Sequence, residues 1–267
     1  VYDRLVELKE SHNTAVETVV KQVNTIAGNI AALNKSIYSY EMNGFRANDL
    51  RDKRNLLLDK LSGLVDIEYN ETSDNKLIVE VAGEELINHE TTNELSLSLS
   101  SSSPALYDVT IGLTTLNNVT SGLIGGELKA HLDLRDNASK DNPGIPYFVE
   151  QLNIMARALV QNVNRVHENG WTHPASGAAS GQNVKFFDDQ GDINLVTAGN
   201  ISLSNEVLTN VFNIAASDEE IVLDGTGGEL QQGNQENARA IYELINLSNL
   251  GLDTDGDSVS DIGIGGF

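Results

Sequence analysis

Two stretches of the chain repeat apolar residues at alternating three- and four-residue intervals. The first is Val16, Val19, Val23, Ile26, Ile30, Leu33 and Ile37; the second is Val149, Leu152, Ala156, Leu159, Val163 and Val166. The intervals average about 3.5 residues, just under one turn of a straight helix, so each stretch holds a narrow seam toward a partner. The first predicts a helix from about Asp3 to Tyr40, on the order of 55 Å long. Leu5, Leu8 and Ala15 continue its seam toward the amino end, with His12 as the polar interruption. Asn43-Gly44 marks a turn. A second helix is expected to be capped by Asn48, with Asp49 and Asp52 favouring its first turn, and to close at Gly63. Leu50, Leu57, Leu61 and Leu64 recur along it, which makes an αα-hairpin.

From Val65 the period falls to two. Val65, Ile67 and Tyr69 alternate with polar residues, as do Leu77, Val79 and Val81, with Thr72-Ser73-Asp74-Asn75 as the turn between them. Leu95, Leu97 and Leu99 alternate with serines, and Tyr107, Val109, Ile111 and Leu113 repeat the pattern. These runs predict one small antiparallel sheet with a single apolar face. Helical spacing returns at Gly126 with Leu128 and Leu132. After the polar run Asn137 to Gly144, Pro146 suits the first turn of the helix carrying the second seam, which Gly170 ends. A last helix is expected to be capped by Asn234, with Ala238, Ile241 and Ile245 on one face.

The fold class is therefore α+β: an elongated α-helical bundle or coiled-coil rod with an inserted small antiparallel β domain. The expected organisation is residues 1–64 as the first part of the rod and 65–121 as the β domain. Residues 122–172 form the second part, 173–232 are irregular with short strands, 233–250 return as a helix, and 251–267 form an acidic, glycine-rich tail or loop. The β domain is expected to project from the rod's side.

Composition narrows the partners. The net charge is −22, with 17 Lys and Arg against 39 Asp and Glu, so phosphate backbones and anionic membrane surfaces repel the chain. Neither nucleic acid nor membrane is expected as a partner. No window reaches the apolar length of a membrane span. There is no cysteine, which removes disulfides, thiolate metal sites and thiol nucleophiles.

Candidate chemistry is thin. His167 and His173 flank Glu168, but zinc protease histidines lie four apart on one helix face, whereas these lie six apart across Gly170. His12, His89 and His131 are scattered without ligand spacing. The clusters Gly225-Thr226-Gly227-Gly228 and Gly263-Ile264-Gly265-Gly266 lack the lysine of a phosphate loop and read as turns. Asp253, Asp255, Asp257 and Asp261 occupy positions 1, 3, 5 and 9 of a calcium-loop pattern. Ser258 stands where that pattern needs glycine, and Ile264 where it needs a bidentate acid. An acidic loop is the plainer reading, and no cofactor, metal or catalytic residue is expected.

Several short motifs, in order, resemble one family. They are Asn48-Asp49-Leu50-Arg51-Asp52-Lys53-Arg54 with the leucines that follow, and Gly125-Gly126-Glu127-Leu128 with Arg135-Asp136. Next come Ile145-Pro146-Tyr147, then Val163-Asn164 with His167 and Gly170, and Phe186-Phe187. The last are Ile201-Ser202-Leu203-Ser204, Ile214-Ala215-Ala216 and Gly233-Asn234-Gln235-Glu236-Asn237. This series resembles the flagellar hook-associated protein 1 family, the first of the two hook–filament junction proteins. Arg51 departs from it, standing where leucine is more usual, and Asn137 to Gly144 is an insertion. The resemblance implies a structural, non-enzymatic subunit of the bacterial flagellum that connects the hook to the filament. It further implies a ring of neighbouring copies, contacts with the hook protein and the second junction protein, and an export chaperone before secretion through the flagellar type III apparatus to the cell exterior. His167 and its motif companions would be packing and helix-ending positions, and the family's terminal axial helices would lie outside this chain. The alternatives are another flagellar axial protein, such as the second junction protein or a flagellin-like chain, or a secreted calcium-dependent binding module.

Overall fold

The computed structural model describes residues 1–42, 44–100, 103, 105–112, 117–174, 181–222, 234–244, 251, 252, 262 and 263. The chain divides into two compact units, one of Val1 and Asp3–Tyr147, the other of Tyr2 and Phe148–Phe267. Long helices and small antiparallel sheets make the fold α+β.

In the first unit, α1 (Tyr2–Glu41) is an uninterrupted 40-residue helix. Its predicted seam is its buried face: Val16, Val19, Val23, Ile30 and Ile37 are buried, and Ile26 and Leu33 half-buried. Helix α2 (Asn48–Leu64) follows the turn. Strands β1 (Glu68–Glu71), β2 (Leu77–Val81), β3 (Glu84–Asn88) and β4 (Thr91–Thr92) form one antiparallel sheet in that order. Strands β5 (Leu95–Leu99), β6 (Tyr107–Ile111) and β7 (Asn117–Asn118) form a second. Helix α3 (Gly126–Asp136) completes the unit.

Two sheets thus stand where alternation alone predicts one. Strand β3 escapes the period-two pattern because its adjacent residues Leu86 and Ile87 are both buried, next to a register shift between Val79 and Glu80. The turn at Thr72 to Asn75 forms as expected: Asn75 takes φ +58° and its N–H donates to the Thr72 carbonyl at 2.9 Å.

The strands pack against the helices of the same unit. One continuous core joins Val16 to Ala31 of α1 with Leu58 and Leu61 of α2, Leu77, Val79 and Ile87 of the first sheet, Leu95 and Val109 of the second, and Leu128 of α3. A stripe of Val, Ile and Ala is nearly flat, so an apolar sheet face covers it as well as another helix does. The strands therefore share the burial of the α1 seam with α2 and α3.

Side-chain amides of α1 fix where the strands lie. Asn13, Asn24 and Asn34 are ten or eleven residues apart, about three helical turns, and so fall on one side. Asn24 accepts the Leu95 N–H at 2.9 Å and donates to the Leu95 carbonyl at 2.8 Å, as a neighbouring strand would. Asn13 accepts the Tyr107 N–H at 3.1 Å, and Asn34 donates to the His89 carbonyl at 2.7 Å.

The ends of α2 differ from expectation. Asn48 lies within the helix instead of capping it. Glu41 accepts the N–H of Ala47, the residue before the helix, at 3.1 Å. Gly63 also stays helical, since packing of Leu61 and Val65 carries the helix to Leu64. Arg51 binds Glu41 through Nε and Nη2, each at 2.8 Å, and Glu71 of β1 through Nη1 at 3.0 Å. It ties the end of α1 to α2 and to the first sheet.

In the second unit, α4 (Ile145–Asn169) begins in the first unit's sequence and runs on as the main helix. The short helices α5 (Asn205–Thr209) and α6 (Glu236–Leu244) follow, with 3-10 turns at Ile193–Leu195 and Val211–Asn213. Strands β8 (Gly251–Leu252) and β9 (Ile262–Gly263) pair antiparallel. No helix among the described residues is long and apolar enough to cross a membrane.

Candidate functional site

The second seam predicts that Val149, Leu152, Ala156, Leu159, Val163 and Val166 face inward together. The observed inner face of α4 is rotated by about one position. Ala156, Val160 and Val163 are buried together with Asn153, Asn164 and His167, whereas Leu159 is exposed. Ala156 and Val160 pack with Val196, and Phe187, Ile193, Ala198 and Ile201 lean on them. The rotation has a clear cause: what α4 covers is irregular chain with unpaired backbone groups, and only polar side chains can satisfy these.

The satisfaction is explicit. Asn153 accepts the Ala198 N–H at 3.0 Å. Asn164 accepts the N–H groups of Phe186 and Phe187 at 3.0 and 2.8 Å and donates to the Phe187 carbonyl at 2.9 Å. These two asparagines stand eleven residues apart, repeating the α1 arrangement.

His167 is fully buried. Its Nε2 accepts the Ala215 N–H at 2.8 Å, so that nitrogen carries no proton, and Nδ1–H donates to the Val184 carbonyl at 2.7 Å. Burial pushes its pKa below the usual imidazole value. With both ring nitrogens engaged by backbone, His167 can neither ligate a metal nor relay a proton without breaking the local fold. The zinc-like pair with His173 is not assembled, and the His173 ring lies 5.4 Å from that of Phe212.

Gly170 ends α4 where a side chain would collide: a Cβ there would sit 2.0 Å from Asn237 Nδ2. Asn237 on α6 donates to the Ala215 carbonyl at 2.6 Å, so Ala215 is held by its N–H from α4 and by its carbonyl from α6. The Ser204 N–H donates to the Phe186 carbonyl at 2.9 Å, and Phe187 bridges to Leu203. The inner face of α6 is Asn237 and Leu244, with Ile241 half-buried and Ala238 exposed, in place of the predicted Ala238 and Ile241 face. Ile245 lies outside the described residues. Asn234 accepts the Glu236 N–H at 3.2 Å, close to its expected capping role.

The short motifs Val163-Asn164, His167, Gly170, Phe186-Phe187, Ser204, Ala215 and Asn237 therefore meet in one interlocked cluster. The sequence signal that could have found it is the eleven-residue recurrence of asparagine within each seam helix.

In the first unit, His12 and His131 come together, although their positions are 119 apart. Their Nδ1 atoms are 2.9 Å apart and the ring centroids 5.1 Å. At that distance one Nδ1 donates and the other accepts. Burial and the neighbouring His131 hold the His12 pKa below its usual value. Four residues beyond His131, the buried Arg135 donates to Asn13 Oδ1 at 2.7 Å and to the Tyr107 carbonyl at 2.8 Å. Gly126, at φ +84°, starts α3 where a Cβ would lie 2.6 Å from the Val65 Cα.

The aspartates of the calcium-loop pattern, Asp253, Asp255, Asp257 and Asp261, lie outside the described residues, between β8 and β9. Among the described residues, no three His, Asp or Glu side chains form a group able to hold a metal ion.

The comparisons with known proteins converge. Residues 1–187 match the model of the flagellar hook-associated protein FlgK helical domain. The chain is similar to flagellar hook-associated protein 1 of Bacillus subtilis (strain 168), with 26% identity over 240 residues, covering 81% of this chain and 46% of the relative. It thus spans about half the length of that relative. Its fold resembles the solved structure of the flagellar hook junction protein FlgK from Burkholderia pseudomallei. The TM-score is 0.59 and the identity 23%, covering 70% of this chain and 33% of that one. With its helical domain matched and its motifs interlocked as packing elements, the chain belongs to the flagellar hook-associated protein FlgK family.

Proposed function

We propose that this chain is the helical and β portion of a hook–filament junction subunit, a structural part of the bacterial flagellum with no catalytic step. The observation that carries the reading is the match to the FlgK helical domain over residues 1–187. The interior supports it. His167, a candidate for chemistry in the sequence, and the motif residue Asn164 are both consumed in holding backbone. Such a subunit would stand in a ring of its own copies outside the cell, between the hook protein and the second junction protein. It would reach that place through the flagellar export apparatus, escorted by a chaperone.

A graft tests the reading. In a flagellated bacterium lacking its own hook-associated protein 1, the corresponding region of that protein is replaced by this chain. Restored filaments and swimming are expected. Bare hooks from a stably produced graft would overturn the proposal.

A further inference from the structure

A ring requires each copy to touch the next, and the net charge of −22 makes copies repel. Contact between them therefore needs a local cationic surface. Most arginines and lysines are already committed: Arg51, Arg54, Arg135, Arg157 and Lys185 all sit in ion pairs. Arg46 and Lys53 are exposed and make no hydrogen bond or ion pair among the described residues. Together they line a cavity of about 490 Å³ at the tip of the α1–α2 hairpin, with Tyr40 and a single acid, Asp49. Beside them the tip exposes Met42 at 74% and Phe45 at 66%, and the Tyr40 and Phe45 rings lie 6.4 Å apart. Arg46 also acts on Glu41, whose carboxylate is hydrogen-bonded to Arg51; exposed large apolar side chains gathered beside exposed cations mark an interaction surface rather than a solubilising one.

The second unit carries the complement. Around α5 and the turn after it, Leu208 and Val211 are each 66% exposed, and Phe212 and Ile214 are exposed too. Alongside is a cavity of about 460 Å³ lined by Asp188, Asp189 and Glu206, with Lys185 as the cation. Lys185 is engaged by Asp189. Asp188 and Glu206 make no ion pair among the described residues, so the cavity keeps negative charge.

The charges decide the pairing. Tip against tip would bring Arg46 and Lys53 toward their own copies, and turn against turn would do the same with Asp188 and Glu206. Only tip against turn pairs opposite charge and apolar surface at once. This pairing is not self-complementary, so between copies it is a head-to-tail contact, the type that closes into a ring or extends as a chain.

Resting on the junction reading, we propose that the α1–α2 tip of one copy docks on the α5 turn of the next. Met42 and Phe45 meet Leu208 and Val211, and Arg46 and Lys53 face Asp188 and Glu206.

The absence of cysteine makes the test clean. Asn48→Cys and Asn205→Cys chains, whose exposed cysteines stand beside the proposed contact and not in it, are prepared separately, checked for native circular dichroism, and mixed at millimolar concentration with a short bismaleimide cross-linker. The mixture should give covalent dimers, with a yield about tenfold above that of either variant alone. Adding R46E/K53E to the Asn48→Cys chain should lower the yield by about the same factor, and E206K in the Asn205→Cys partner should recover part of it. Three results would each overturn the docking: dimers of either variant alone at equal yield, a yield untouched by R46E/K53E, or a yield no greater than a Lys140→Cys chain gives with Asn205→Cys. The cross-link needs no flagellum. Filaments from the graft without the cross-link reject the docking alone, whereas the cross-link without filaments rejects the junction reading.

Discussion

Replacing Asn164 by alanine is the sharpest perturbation of the second unit. The side chain holds three backbone groups, the N–H of Phe186, the N–H of Phe187 and the carbonyl of Phe187, at 3.0, 2.8 and 2.9 Å. Asn164 is buried, so water does not readily take its place. At about 1 kcal/mol per buried hydrogen bond, with a further cost for each orphaned group, the loss is about 3 kcal/mol or more. Asn164→Asp keeps both acceptor contacts but sets a carboxylate oxygen against the Phe187 carbonyl, and should fall between alanine and wild type. Asn169→Ala is the control: its side chain is exposed and, among the described residues, bonds only the Arg165 carbonyl of its own helix, so a change within about 0.5 kcal/mol is expected. Urea unfolding followed by circular dichroism reads the totals. Hydrogen exchange reads the place, with loss of protection concentrated around Phe186, Phe187 and Ser204. Equal small effects from Asn164→Ala and Asn169→Ala would refute the reasoning.

Three further outcomes are expected. Neutral His167 stabilises the second unit fully above about pH 6.5. Because its folded pKa is depressed, that stability is lost as pH falls below 6.5 toward the folded value. Protection around Val184 and Ala215, referred to the intrinsic exchange rate at each pH, should therefore fall between pH 7 and 5, and His167→Gln should flatten this dependence. Gly126→Ala places a Cβ against the Val65 backbone at a positive φ and should cost about 2–4 kcal/mol in urea unfolding; a neutral result would mean that the α2–α3 crossing is looser than described. Arg51→Leu should lose about 1–2 kcal/mol near neutral pH by freeing Glu41 and Glu71. The Arg51 hydrogen bonds hold Glu41 down to about 2, so this stabilisation is present above about pH 4.5 and fades as pH falls toward 2. The gap between Arg51→Leu and wild type should narrow over that range, and a constant gap would argue for lost packing alone.

The apolar periodicity of α1 was legible because its inner face is covered by apolar surface, from strands as well as helices. The same reasoning misplaced α4 and α6 by one position. There the covered partner is irregular chain, so Asn153, Asn164, His167 and Asn237 turn inward, while Leu159 and Ala238 turn out. A scale that reads every asparagine as solvent-facing cannot find such a face. Strand β3 was hidden for a related reason, since two adjacent buried residues at a register shift break the alternation that identifies a strand. The His12–His131 contact joins positions 119 apart, and nothing in local spacing encodes it. The motifs were visible one by one, but their convergence on Ala215 and Phe186-Phe187 is a property of the fold.

Asparagines on the long helices hold the neighbouring chain in place. Amide hydrogen exchange at single-residue resolution tests it most directly. The N–H groups of Leu95, Tyr107, Phe186, Phe187 and Ala198 each donate to a helix asparagine. They should be protected to about the level of amides within β2 and β6. Exchange at the rate of free loops for these amides, with β2 and β6 still protected, would contradict the account.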